Sequence, residues 1–241
     1  MFDRPHHQRI ASVLSSLDGE LLRTFQCWFG GGTAIALMFG EYRESVDIDF
    51  LVSDAAGYRE LRQRLRGARD LSALTRADVR PIDCERDMRA DQYGIRTVLD
   101  VQGTPIKFEI VREARIAFEA SRRTQRVCGI STLSRQDLAA CKLLANADRW
   151  RDDSVFARDV IDLAMLDLPP RALRPALVKA IASYGVSVVA DLQLALASLR
   201  ERPERLHRCL QALSITLPAA ALQQKLRSLA RRVASAAEGM V

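Results

Sequence analysis

Gly30-Gly31-Gly32-Thr33 is followed, after a short apolar run, by Arg43-x-Ser45-x-Asp47-Ile48-Asp49-Phe50. Glycines let backbone N–H groups approach a phosphate without interference from Cβ, and a threonine hydroxyl at a helix N-terminus adds a further donor. Two carboxylates separated by one residue on a strand project to the same side, where they can hold two divalent ions about 4 Å apart. Phosphoryl or nucleotidyl transfer needs both parts. Each alone has an ordinary explanation: a tight turn packing a helix on a strand, and a pair of solvated charges at a strand edge. The glycine turn is neither a Walker A loop nor a G-x-G-x-x-G fingerprint. It is the combination at this spacing that points to chemistry.

Two divalent ions call for a third carboxylate on a neighbouring strand. In Pro105-Ile106-Lys107-Phe108-Glu109-Ile110-Val111, Ile106, Phe108 and Ile110 face one way, and Lys107, Glu109 and Val111 the other. Paired beside the Asp47–Asp49 strand, Glu109 reaches the metal and serves as general base on an incoming hydroxyl. Its alternative is an ion pair with Lys107 or a neighbouring arginine. Ser45 is placed either to hydrogen-bond phosphate or to cap the strand entry, and Arg43 either to pair with a triphosphate or to brace a carboxylate. His6, His7 and His207 are isolated and expected at the surface.

The elements that must position these residues follow from hydrophobic period and breakers. Residues 6–26 read as one amphipathic helix, and Cys27-Trp28-Phe29 as a short strand leading into the glycine turn. Thr33 is placed to cap a helix from Ala34 to Phe39, and Ile48 to Val52 reads as a buried strand. A basic helix is expected at Tyr58 to Arg66. Strands are expected at Asp78 to Cys84, Gly94 to Val101 and Thr104 to Val111, the last two joined by a Gln102-Gly103 turn. Beyond residue 133 the pattern becomes helical, with segments at 135–150, 154–167, 171–183, 186–200, 203–212 and 217–235 bounded by Pro169-Pro170, Pro175, Pro203 and Pro218. A mixed α/β domain over 1–125 is thus followed by an all-helical domain over 126–241. The seam is expected around 120–133, in the region of residues 121–126, and a cleft between the halves is the natural place for a site.

Composition narrows the class. With 241 residues and 48% hydrophobic content there is material for a real core. No apolar run is long enough for a transmembrane helix, and the N-terminus lacks the apolar core of a signal peptide. Five scattered cysteines without a C-x-x-C pair disfavour zinc and a disulfide framework, so the chain reads as cytoplasmic. Residues 1–125 carry 19 basic and 19 acidic side chains, so the net charge of +6 lies entirely in 126–241, with 17 basic against 11 acidic. That half suits either a polyanionic partner or a solvated basic surface.

The glycine–threonine turn, R-x-S-x-D-I-D-F and the later strand acid resemble the nucleotidyltransferase fold of the DNA polymerase β superfamily. Within it, Gly31-Gly32-Thr33 through Asp47-Ile48-Asp49-Phe50-Leu51 is similar to the AbiEii/AbiGii toxin family. A second block carries the same likeness: Asp137-Leu138-Ala139-Ala140-Cys141-Lys142-Leu143, then Asp148-Arg149, then Arg158-Asp159-Val160-Ile161-Asp162-Leu163. The resemblance implies an α/β nucleotidyltransferase domain with a mixed sheet, and a magnesium-dependent transfer of NMP from an NTP to an acceptor hydroxyl. It also implies the toxin of a type IV-like toxin–antitoxin or abortive-infection system, with tRNA or another RNA as acceptor and a cognate antitoxin as partner.

Lys142, Asn146 and Arg149 recur at helical spacing as a polar stripe. Toward a substrate, Lys142 would neutralise a triphosphate or the charge developing in the transition state, and Asp159 would orient that lysine or contact the nucleotide. The bland alternative is a surface stripe, with Arg158 and Asp162 as an i,i+4 ion pair. The rival functions are transfer to a small molecule such as an aminoglycoside, transfer to a protein side chain, and non-catalytic nucleotide or RNA binding on the same fold.

Overall fold

The computed structural model describes residues 2–119 and 125–240. The described residues up to Glu41 together with Ser45–Ser134 form one unit, and Tyr42–Glu44 with the described residues from Arg135 onward form the other.

The first unit runs α1 (Pro5–Ser16), α2 (Gly19–Thr24), β1 (Trp28–Phe29), α3 (Gly31–Met38), β2 (Ile48–Val52), α4 (Ala55–Leu65), β3 (Arg89–Ala90), β4 (Gly94–Val101), β5 (Thr104–Arg112), β6 (Arg126–Val127) and β7 (Ile130–Ser131). Five strands make a mixed sheet in the order β1-β2-β5-β4-β3. β2 and β5 are parallel; the other neighbours are antiparallel. β4 and β5 turn on Gln102 and Gly103, both at positive φ (55° and 75°), the backbone shape whose twist matches a two-residue hairpin. Alternation decides which face is buried. Phe29, Phe50 and Phe108 meet in a row across β1, β2 and β5, with ring centroids 5.7 and 5.6 Å apart. α1 and α4 add Ile10, Val13, Leu14, Leu61 and Leu65 to the same core. Full burial of each such side chain contributes about 1.5–3 kcal/mol.

Four expectations change. The helix expected over 6–26 is broken: Leu17 is extended, and Asp18 caps α2 by accepting from the Glu20 and Leu21 amides. The hydrophobic period runs on across that break, which is why it hid the cap. α3 starts at Gly31 with Gly30 ahead of it, so Thr33 lies within the first turn and is not the cap. The strand expected at Asp78–Cys84 is absent; only single bridges form there, from Asp83 to Asp70 and from Cys84 to Leu99. Pro81 has no N–H to give to a ladder. Finally, the unit boundary lies after Ser134, not at 125. The β6–β7 hairpin belongs with the sheet, where the Leu133 amide donates to Phe29 O at 3.0 Å. Most of the expected seam at 121–126 falls outside the described residues.

The second unit is helical: α5 (Arg135–Arg149), α6 (Arg158–Leu166), α7 (Pro170–Tyr184), α8 (Ser187–Glu201), α9 (Pro203–Ala212) and α10 (Ala219–Ala237). Pro170 and Pro203 open helices, where a missing N–H costs nothing. Pro175, expected at a boundary, lies inside α7. Among the described residues no single helix is long and apolar enough to cross a membrane; α7 and α8 pass by composition only as a pair bent by 114°. Residues Tyr42–Glu44 are tied into this unit by backbone bonds, Glu44 N–H to Leu213 O at 3.0 Å and Thr216 N–H to Tyr42 O at 2.9 Å.

Candidate active site

Ile48, fully buried, opens β2 and fixes it in the core, so Asp47 and Asp49 on either side of it are both left half-buried. In the parallel pairing of β2 with β5, Asp49 stands directly opposite Glu109. The glycine turn lies against the same point. Gly30 N–H donates to Asp49 O at 2.9 Å. Gly31 adopts φ +66°, and a Cβ there would sit 2.4 Å from Asp49 Oδ2. Only glycine allows both the left-handed backbone and this approach. Gly30 answers to packing instead: a Cβ on it would strike Leu51 Cδ1 at 2.3 Å. Gly32 is half-buried in the first turn of α3.

Thr33 does not point its hydroxyl at an open site. It is 1% exposed, with Oγ1 2.6 Å from Asp47 O and 2.8 Å from Ser45 Oγ. A carbonyl can only accept, so the Thr33 proton goes to Asp47 O and the Ser45 hydroxyl supplies the proton between the two side chains. The Ser45 side chain thus bonds Thr33 just ahead of β2. His7, expected at the surface, is fully buried beside this segment.

The Glu109 carboxylate makes the ion pairs that its sequence context left as the alternative. It stands opposite Asp49, and it also pairs with Arg96 Nε at 3.1 Å and Lys107 Nζ at 2.9 Å while 14% exposed. Among the described residues no three His, Cys, Asp or Glu side chains are grouped to hold a metal ion. In kind the donors fit a hard divalent cation, since Asp47 and Asp49 offer only oxygen. Glu109 is committed to its two cations.

The remaining expected residues gather in the helical unit. Asp162, fully buried, accepts from Arg43 Nε at 2.7 Å and Nη2 at 2.9 Å, from Tyr42 Oη at 2.5 Å, and pairs with Lys142 Nζ at 2.7 Å. Lys142, 6% exposed, also bonds Asp159 at 2.8 Å, and Arg149 grips Asp159 with Nε at 2.7 Å and Nη2 at 3.0 Å. Burial alone would raise both carboxyls, but Arg43 and Lys142 hold Asp162 below the usual range, and Lys142 and Arg149 do so for Asp159. Burial likewise opposes the charge on Lys142, yet the two aspartates raise it overall. The Tyr42 hydroxyl is pushed well up by burial and by Asp162.

Arg43 thus braces a carboxylate. The stripe of Lys142, Asn146 and Arg149 is not a surface feature: Lys142 and Asn146 are buried, and Asn146 Nδ2 lacks a hydrogen-bond partner. Asp162 pairs with Arg43 and Lys142, where the sequence suggested Arg158. Sequence reasoning missed Tyr42, and it missed the burial and the partners of Asp162. The available signal was the polar Asp162 within the otherwise apolar run Val160–Leu166. A groove of about 1050 Å³ between α8 and α10, floored by Leu196, Leu199 and Leu226, includes none of these residues.

The chain matches the family model described as nucleotidyl transferase AbiEii toxin, type IV toxin–antitoxin system, over residues 21–234. No curated protein matches it. Among solved structures, JHP933 from Helicobacter pylori is 14% identical with a TM-score of 0.51, over 100% of this chain and 98% of that one. A candidate nucleotidyltransferase from H. pylori gives the same identity and score over 98% and 96%. These two support the fold. MenT4, a nucleotidyltransferase toxin from Mycobacterium tuberculosis H37Rv, is 16% identical over 96% of this chain and 86% of that one, with a TM-score of 0.47.

Proposed function

This chain belongs to the AbiEii nucleotidyltransferase toxin family, and on that premise we propose that it transfers a nucleoside monophosphate from an NTP to a hydroxyl of an RNA, with tRNA the favoured acceptor. The acceptor oxygen forms a bond to the α-phosphorus, the bond from that phosphorus to the bridging oxygen breaks, and pyrophosphate leaves. The observation that carries the reading is the meeting of Gly31, Asp49 and Glu109: a glycine backbone pressed on one carboxylate, with a second acid opposite it in register.

In this reading Asp47 and Asp49 hold Mg²⁺, which when bound stabilises negative charge on the phosphate oxygens. The backbone of Gly31 and Gly32 at the start of α3 would face the triphosphate, and Thr33 and Ser45 hold the backbone that carries Asp47. Glu109, in register with Asp49, would be the third acid toward the metal and the acceptor of the hydroxyl proton, with Arg96 and Lys107 as its partners in this structure. Lys142, with Arg43, Asp159 and Arg149, places three cations against two carboxylates in the helical unit, a surplus that suits a polyanionic substrate. The excess positive charge of residues 126–241 favours RNA over an aminoglycoside, and the family favours an antitoxin as partner.

The test is incubation with each α-labelled NTP, Mg²⁺ and tRNA or total RNA, beside Asp49→Ala. Label entering RNA with the wild type and not with the variant supports the reading. Label entering only protein or small molecules contradicts the RNA acceptor, and equal transfer by Asp49→Ala contradicts the metal assignment.

A further inference from the structure

Residues 42–47 lie between α3 and β2 without regular structure, yet their backbone polar groups must find partners. Side chains do much of this. Thr33 serves Asp47 O, and two successive histidines on α1 serve the peptide groups just before it. His6 Nε2 lies 2.9 Å from Val46 O, and Ser45 N–H donates to His7 Nε2 at 3.1 Å. The chemistry of each partner fixes the proton. A carbonyl demands a donor, so His6 carries its proton on Nε2. A backbone N–H demands an acceptor, so Nε2 of His7 carries none.

The other side of the His7 ring agrees. Nδ1 lies 2.7 Å from Glu41 Oε1. Glu41 is itself fixed: it occupies φ 53°, and its carboxylate accepts from the Asp3 amide at 2.8 Å and the Arg4 amide at 3.2 Å. Burial would raise its carboxyl, but these amides and His7 bring it below the usual range. An ionised Glu41 requires a proton on Nδ1.

We propose that His7 is a positioning residue for nucleotidyl transfer: a buried imidazole, neutral in its Nδ1–H form, whose Nε2 holds the Ser45 amide and so sets the backbone that delivers Asp47. The proposal rests on the role given to Asp47 above. Glu41 bonds the Nδ1 of His7, Arg4 bonds Glu41 in turn, and His6 is next to His7 on α1. A second proton would place an Nε2–H against the Ser45 N–H, two donors facing each other in a buried site. The Ser45 bond is then lost, although Glu41 favours the cation.

The test uses the full chain with ¹⁵N-labelled histidine. Long-range ¹H–¹⁵N correlation at neutral pH is expected to find His7 protonated at Nδ1 and bare at Nε2; a proton on Nε2 overturns the proposal. His7→Gln returns an acceptor near the Nε2 position, whereas His7→Asn returns only the Nδ1 side. Ser45 amide exchange is expected to stay slow in His7→Gln and to become fast in His7→Asn. In the transfer assay, His7→Asn is expected to lose about 10- to 100-fold in kcat with KM for NTP little changed, and His7→Gln to keep most of kcat. Equal losses in the two variants, or a fast Ser45 amide in the wild type, contradict the assignment. Absence of transfer from the wild type tells against the enzymatic reading, while the ring and amide signals still judge His7.

Discussion

Asp49 lies half-buried beside a glycine turn, with Glu109 across from it on the adjacent strand; Asp162 is sealed within the helices, its oxygens taken by Arg43, Lys142 and Tyr42. The first carboxylate is placed by backbone, through the ladder of β2 with β5 and the bond from Gly30. The second is placed by other side chains. A group held through its backbone is placed by the sheet that carries it, whereas a group saturated by buried cations is part of the structure that holds them. The proposed chemistry rests on Asp47 and Asp49, whereas Asp162 holds Tyr42 and Arg43 in the helical unit.

The largest effect expected on stability falls on Asp162. Asp162→Ala leaves Arg43 and Lys142 buried with one carboxylate fewer, and is expected to cost about 3–5 kcal/mol. Chemical denaturation followed by circular dichroism measures it, and a loss below about 1 kcal/mol would break the contrast at its structural end. Gly31→Ala comes next. With φ +66° and Asp49 Oδ2 at 2.4 Å, the methyl must displace the carboxylate. Transfer activity is expected to fall about 10- to 100-fold, and the left-handed backbone at this position is expected to cost about 1 kcal/mol or more of stability as well.

The pH dependence sharpens the same comparison. Asp159 and Asp162 have folded values held below the ordinary 3.8, so their contribution is complete above that value and is lost as pH falls through the lowered ones. Lys142 is raised above 10.5, so its contribution is complete below that value and is lost as pH rises through the folded one. The cluster is therefore expected to leave stability flat between roughly pH 4 and 10. Wild type and Asp162→Ala, compared by denaturation across this range, should differ by a constant amount; a difference that changes in mid-range counts against it. The smallest effect is expected at Arg96. Its pair with Glu109 is partly solvated, so Arg96→Ala should shift stability by no more than about 0.5 kcal/mol, and what it changes is the freedom of Glu109, read as kcat.

Much of the first region was legible in the sequence because its signals are local. Alternation in Ile106-Lys107-Phe108-Glu109-Ile110 identified the strand and the face of Glu109, and the Gln102-Gly103 turn fixed the hairpin. Whether β5 would lie beside β2 depends on the sheet order, which no local pattern encodes, and the observed register puts Glu109 opposite Asp49. The second region was half legible. Family wording drew attention to Lys142 and Asp159, but the partners of Asp162 lie far along the chain at Tyr42 and Arg43, beyond any i,i+4 rule. His7 escaped for a similar reason, because a histidine early in a helix gives no sign of burial until Glu41 and Ser45 are placed around it. The break at Leu17 and the irregular chain near Pro81 were lost to a hydrophobic rhythm that continues where the hydrogen bonds do not.

The most direct test is label transfer from α-labelled NTP by Asp49→Asn, which keeps the shape of the side chain and removes its charge, with the denaturation midpoint measured on the same preparation. The account predicts a loss of about a thousandfold or more in transfer, worth about 4 kcal/mol in the transition state, with the midpoint unchanged. Transfer at the wild-type rate by a folded Asp49→Asn protein would contradict it.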